Sequence, residues 1–145
     1  MPFKTPSGES AYIREHLMRE TDPVLKEMLA FADEHYVPVL LPESAAFLQQ
    51  IVMLTRPEKT LEIGTAIGYS TQLILRSGGK HVYTIEIKEG LIERAKCYLD
   101  RAGLLPRVTF FAGNNLTFRD KSGKTFQVRG YVSGDRVFIR ADHPE

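Results

Sequence analysis

The spacing of apolar positions changes character near residue 58. Up to that point it is helical: Tyr12, Ile13, His16 and Leu17 share a stripe that predicts a short first helix ending near Thr21. "TDPVLKEMLAFADEHY" predicts a second, with Asp22 as N-cap, Pro23 at its first position and Leu25, Met28, Leu29 and Ala32 on one face. "VPVLLPES" reads as an extended loop. Pro42 then opens a third helix through "ESAAFLQQIVMLT", with Phe47, Leu48, Ile51 and Val52 expected in the core.

From Lys59 strands and helices alternate. "TLEI" predicts a short buried strand, "GYSTQLILRS" a helix closed by Gly78 and Gly79, and "HVYTIEI" a second strand rich in β-branched residues. "KEGLIERAKCYLDRAG" has an apolar side of Leu91, Ala95, Leu99 and Ala102 with Gly103 as terminator, and "RVTFFAG" is a third strand. Such alternation implies right-handed crossovers and a parallel sheet, the first half of a doubly wound fold. The last residues differ. "LTFRDKSGKTFQVRGYVSGDRVFIRAD" reads as an antiparallel meander, with Phe118 against Phe126 and Val128, Tyr131 against Val137 and Ile139, and turns at "DKSGK" and "SGDR".

Composition adds bounds. At 145 residues and 43% hydrophobic content the chain has the size of one domain with a real core. No stretch approaches the roughly 18 consecutive apolar residues of a membrane span, and "MPFKTPSGES" lacks the apolar run of a signal peptide. These features lead to the expectation of a cytoplasmic protein without membrane partners. The net charge of +1 conceals an asymmetry: residues 1–106 carry 12 Lys+Arg and 14 Asp+Glu, residues 107–145 carry 7 and 4. Cys97 is expected as a small core residue of its helix. His16, His35, His81 and His143 lack metal-ligand spacing. The basic, aromatic tail reads first as a hairpin with charged edges and second as a nucleic-acid surface.

The turn "LEIGTAIGYS" carries the chemistry. In a doubly wound sheet a ligand sits beyond the carboxyl ends of the strands, against the first turn and near an acid ending the second strand. Gly64 and Gly68 supply the turn, and Glu86 the acid, 22 positions after Gly64. Its oxygens suit the two hydroxyls of a ribose; the alternative is that it caps the next helix. Counted from Gly64, a dinucleotide fingerprint needs glycines at 66 and 69, where Ala66 and Tyr69 stand. A phosphate-cradling Gly-Lys-Ser/Thr run is also absent. What remains, Glu62-x-Gly64-x-x-x-Gly68, suits a ligand with a cation and an amine but no phosphate.

"LEIGTAIGYST", "VYTIEIKEGLIERAKCYLDRAGL" and "RVTFFAG" together resemble the S-adenosylmethionine-dependent O-methyltransferases of the catechol and caffeoyl-CoA type, a group that includes bacterial tRNA 5-hydroxyuridine methyltransferases. The resemblance covers roughly residues 10–113, including the segment "VPVLLPESAAFLQ", and leaves out residues 114–145. It implies a helical lead (1–58), a partial Rossmann-like S-adenosylmethionine-binding unit of β-α-β-α-β order (59–113) and a basic β tail (114–145). By resemblance Gly64, Thr65 and Ala66 line the methionine portion together with the Gly68 turn, Glu62 anchors the amino end, Tyr69 and Ser70 lie beside the cofactor, and Glu86 holds the ribose. Asn114 approaches the adenine, and Leu40 is a lid contact.

The family also implies Mg²⁺, a small-molecule or tRNA acceptor, and a possible homodimer. Its fourth and fifth strands end in metal-binding Asp and Asp-Asn. Here "RVFIRADHPE" echoes the fourth strand, but Arg140 stands in the aspartate's place and Asp142 and His143 fall too late, so neither a metal site nor a catalytic residue is assigned. The later strands do not fit in the last 32 residues at about 30 residues per βαβ unit, so a truncated enzyme is expected. The competing class is a non-catalytic cofactor-binding remnant or α/β interaction module.

Overall fold

The computed structural model describes Gly8, residues 20–113, and the backbone of 115–119, 125–133 and 136–142. The predicted first helix and Asn114 lie outside the described residues.

Asp22 begins α1 (Pro23–Glu34). Its Oδ1 accepts the backbone N–H groups of Val24 at 2.9 Å and Leu25 at 3.0 Å, donors that a helix start otherwise leaves unpaired. The cap is tied to the next unit as well, because Arg76 Nη1 donates to Asp22 Oδ2 at 2.8 Å. α2 (Pro42–Thr55) starts at its proline and ends at Arg56, which adopts the left-handed conformation at φ 44°.

Three parallel strands follow, β1 (Lys59–Ile63), β2 (His81–Glu86) and β3 (Val108–Ala112), in the order β1-β2-β3. α3 (Tyr69–Arg76) and α4 (Glu89–Arg101) make the crossovers. α4 stops at Gly103, whose φ of 69° turns the chain so that the Leu104 N–H reaches the Leu99 carbonyl at 2.8 Å. A 3-10 turn at Leu105–Arg107 leads into β3. The remaining strands, β4 (Asn115–Arg119), β5 (Thr125–Ser133) and β6 (Arg136–Asp142), form a separate antiparallel sheet. Phe118 stands opposite Phe126, as the pattern predicts, while Tyr131 stands opposite Phe138. Because β4–β6 pair among themselves, they add no strand to either rim of the parallel sheet.

The core forms two clusters. Leu25, Met28, Ala32, Ile67, Leu73 and Tyr98 join α1 to the crossover helices, and Val52, Ile74, Leu75, Val82 and Leu99 fill the space between α2, the sheet and α4. Three sequence expectations are corrected. Cys97 is exposed, because the buried face of α4 runs through Ile92, Ala95, Tyr98 and Leu99 and leaves position 97 on the outside. Phe47 and Ile51 are exposed too, at 64% and 41%, since the packed side of α2 is the one carrying Ala45 and Val52.

Leu99 is fully buried where α4 meets the sheet. Leu99→Ala is expected to lower the unfolding free energy by about 2–5 kcal/mol, read from urea denaturation with unchanged slope.

A candidate cofactor site at the first turn

The chain leaves β1 through a turn that few sequences can follow. Gly64 at φ 90°, Ala66 at φ 48° and Gly68 at φ 84° all occupy the left-handed region. The turn is pinned to β2, since the Gly64 and Thr65 N–H groups both donate to the Ile85 carbonyl, at 2.9 and 3.2 Å. The two glycines answer different needs. Around Gly64 a Cβ would meet open space, so only the dihedral demands glycine; at Gly68 it would stand 3.2 Å from the Ala95 Cβ, so the close approach of α4 demands it too.

Two carboxyl groups flank the turn. Glu86, at the end of β2, accepts from the Ala66 N–H at Oε2 (2.8 Å) and from the Ile87 and Lys88 N–H groups at Oε1 (2.9 and 3.0 Å). It holds the turn and the two residues leading into α4, whose own start has no side-chain cap, and three of its roughly four acceptor positions are in use. Glu62 is held differently. Its Oε2 accepts from Thr71 Oγ1 at 2.5 Å and Thr84 Oγ1 at 2.7 Å, and the Thr84 hydroxyl stands 2.6 Å from that of Thr65. Glu62 Oε1 is out of contact with solvent and has no hydrogen-bond partner. Burial, opposed by the two threonine hydroxyls and reinforced by the Glu86 charge, pushes the Glu62 carboxyl up to about 7.

These residues line a cavity of about 1120 Å³ at the carboxyl ends of β1 and β2. Of the residues singled out from sequence, Leu40, Glu62, Gly64, Thr65, Ala66, Tyr69, Ser70 and Glu86 all border it. Gly68 does not; it faces α4. Sequence reading missed the apolar walls. Phe47 and Ile51 of α2 border the cavity, as does Ile87, which is 61% exposed although it directly follows a strand. The available signal was an apolar residue just past the acid that ends β2. Among the described residues, no group of three or more His, Cys, Asp or Glu side chains is arranged to hold a metal ion. His81 Nε2 instead lies 2.9 Å from Thr109 Oγ1. No helix among the described residues is long and apolar enough to cross a membrane.

A sharp glycine turn between β1 and a crossover helix, with an acid closing β2, defines a Rossmann-like ligand-binding unit. The O-methyltransferase family model matches residues 14–145, and the chain belongs to that family. The match runs through residues 114–145, which the motif resemblance had left out. Catechol O-methyltransferase of Mycobacterium tuberculosis is 31% identical over 142 residues, 94% of this chain and 60% of that protein. Protein-L-isoaspartate O-methyltransferase of Christiangramia forsetii is 28% identical over 104 residues, 72% of this chain and 44% of that protein. The O-methyltransferase from Bacillus cereus, solved in complex with SAH, superposes with a TM-score of 0.62 at 31% identity, over 70% of this chain and 48% of that one. The O-methyltransferase TomG from Streptomyces achromogenes, solved with SAM, gives 0.61 at 27%, over 70% and 47%. The chain thus spans about half the length of the relatives it matches.

Two predictions follow from the geometry. Gly68→Ala, strained in dihedral and in space, is expected to cost about 1–3 kcal/mol of stability, and Gly64→Ala, strained in dihedral alone, less; chemical denaturation of the pair tests the order. Glu62 has its native pKa raised to about 7 from an ordinary 4.5, so between those values the folded state binds more protons than the unfolded one. Stability therefore falls as pH rises through that window and levels off above it. In thermal melts across the window, Glu62→Gln is expected to gain progressively on the wild type, with a constant advantage above about pH 7.

Proposed function

We propose that this chain binds S-adenosylmethionine in the cavity beside the Gly64–Gly68 turn and serves methyl transfer to a hydroxyl oxygen. The observation that carries the reading is the buried carboxyl of Glu62, a residue that borders the cavity and whose Oε1 has no hydrogen-bond partner. An acid left without a partner there fits a ligand that brings a cationic amine. When bound, the cofactor supplies a methyl group already activated on a sulfonium. What remains for the protein is alignment and exclusion of water.

Each residue then has a task. Glu62 receives the amino end, and the backbone of Gly64, Thr65 and Ala66 runs alongside the methionine portion. Tyr69 and Ser70 flank it. The free acceptor position on Glu86 takes a ribose hydroxyl, while Ile87 and Leu91 offer the adenine an apolar face. Leu40 covers the cavity from the proline loop, and Asn114 is assigned to the adenine. The described residues do not fit a Mg²⁺ site, so no step is routed through a metal. We place the protein in the cytoplasm, with a small molecule or a tRNA as acceptor and a second copy of the chain as its possible partner.

A second reading is favoured by one observation. α2 exposes Phe47 at 64% and Leu54 at 85%, as an interaction module or a non-catalytic cofactor-binding remnant would. Titration calorimetry separates the readings. Wild-type protein is expected to bind S-adenosylmethionine and its demethylated product saturably, and Glu86→Ala to bind at least about tenfold more weakly. Because Glu86 also holds the turn, the variant's circular dichroism must match the wild type for the loss to count. A folded wild type that binds neither compound would overturn the proposal in favour of the interaction module.

A further inference from the structure

The two oxygens of Glu62 are not equivalent. Oε2 already accepts two hydroxyl hydrogens, from Thr71 and Thr84, which fills its acceptor capacity. Oε1 is buried and has no hydrogen-bond partner. The neutral carboxyl can keep its proton on Oε1, or on Oε2 with a threonine hydroxyl turned to accept it, while the residue itself borders the cavity.

Among the described residues, no cation is paired with the Glu62 carboxyl to offset an anion. From β2 the facing charge is Glu86, another acid. α2 carries a single charged residue, Glu43, also an acid. α3 presents the uncharged Thr71 and the phenol of Tyr69, which burial holds in its neutral form, and its one base, Arg76, is engaged with Asp22 at the far end of the helix. Lys59 lies exposed at the start of β1, and Lys88, before α4, borders the cavity without an ion pair to Glu62. A buried carboxylate in such surroundings has two escapes: it keeps a proton or it gains a cation.

We propose that Glu62 does each in turn, holding a proton on its carboxyl in the free protein and releasing it to solvent as the carboxylate accepts hydrogen bonds from an incoming ammonium group. The neutral acid carries no charge to offset an ammonium, so the amine is held well only by the carboxylate. One proton leaves as one ammonium arrives, and charge in the pocket balances. The inference rests on the cofactor reading above, in which the amino end lies at Glu62. The raised pKa of the carboxyl agrees with it.

The test is calorimetry of the wild-type chain with S-adenosylmethionine near pH 6, in phosphate and in a buffer of large ionisation enthalpy. The expected result is release of close to one proton per molecule bound, with affinity rising by up to about tenfold per pH unit toward pH 7. 5′-Methylthioadenosine, which lacks the amino-acid end, is expected to bind the same protein with no proton released. Glu62→Gln, nearly isosteric, should abolish the release and flatten the pH profile. Binding of S-adenosylmethionine without proton release, or equal release with both ligands, overturns the proposal while leaving the cofactor reading intact. Failure of the folded wild type to bind S-adenosylmethionine overturns both.

Discussion

The cavity exists because the chain leaving β1 is fastened sideways to β2. Two consecutive N–H groups, of Gly64 and Thr65, converge on the Ile85 carbonyl, and the Ala66 N–H is taken by Glu86 from the same strand. Three donors that would be exposed in an ordinary loop are thereby fixed, and the backbone is held in left-handed dihedrals at Gly64, Ala66 and Gly68. Every other feature of the site follows from that fastening. α3 begins where it does because Gly68 lets α4 come within contact, and Thr71 on its first turn lands on the Glu62 carboxyl.

This arrangement gives the two acids opposite characters. Glu86 is wrapped by three backbone donors, from Ala66, Ile87 and Lys88, and ties the turn to the segment that enters α4. Glu62, one strand away, has two hydroxyls on one oxygen and nothing on the other. Burial and the charge of Glu86 both oppose its ionisation, and the threonines offset only part of that.

Much of this was legible in the sequence because it is local. Asp22-Pro23 specifies a helix start by chemistry confined to three residues, and Gly103 a helix stop; both appear where expected. The turn glycines and Glu86 were legible for the same reason, as positions relative to a strand end. The apolar stripe of α2 misled. Periodicity locates a helix's apolar residues but not which of them meets a neighbour, and in α2 it is Ala45 and Val52 that do, leaving Phe47 and Ile51 exposed. Cys97 illustrates the same limit, since Tyr98, a larger and amphipathic residue, takes the buried place on α4. The division of labour at Gly68 was invisible to sequence altogether, because it depends on Ala95, 27 positions away.

The walls of the cavity divide by chemistry. Polar groups cluster where β1 and β2 end, while α2 contributes Phe47, Leu48 and Ile51. On the proposed cofactor reading, the polar end fixes a ligand common to the family and the apolar wall faces whatever else enters. The two regions are mechanically separate: the exposed residues of α2 carry no hydrogen bond of the Glu62 or Glu86 sets, and the packing of that helix depends on Ala45 and Val52 instead. On the same reading, a change at Phe47 or Ile51 alters the apolar wall without disturbing the turn, whereas a change at Glu62 or Glu86 disturbs both the turn and the polar end.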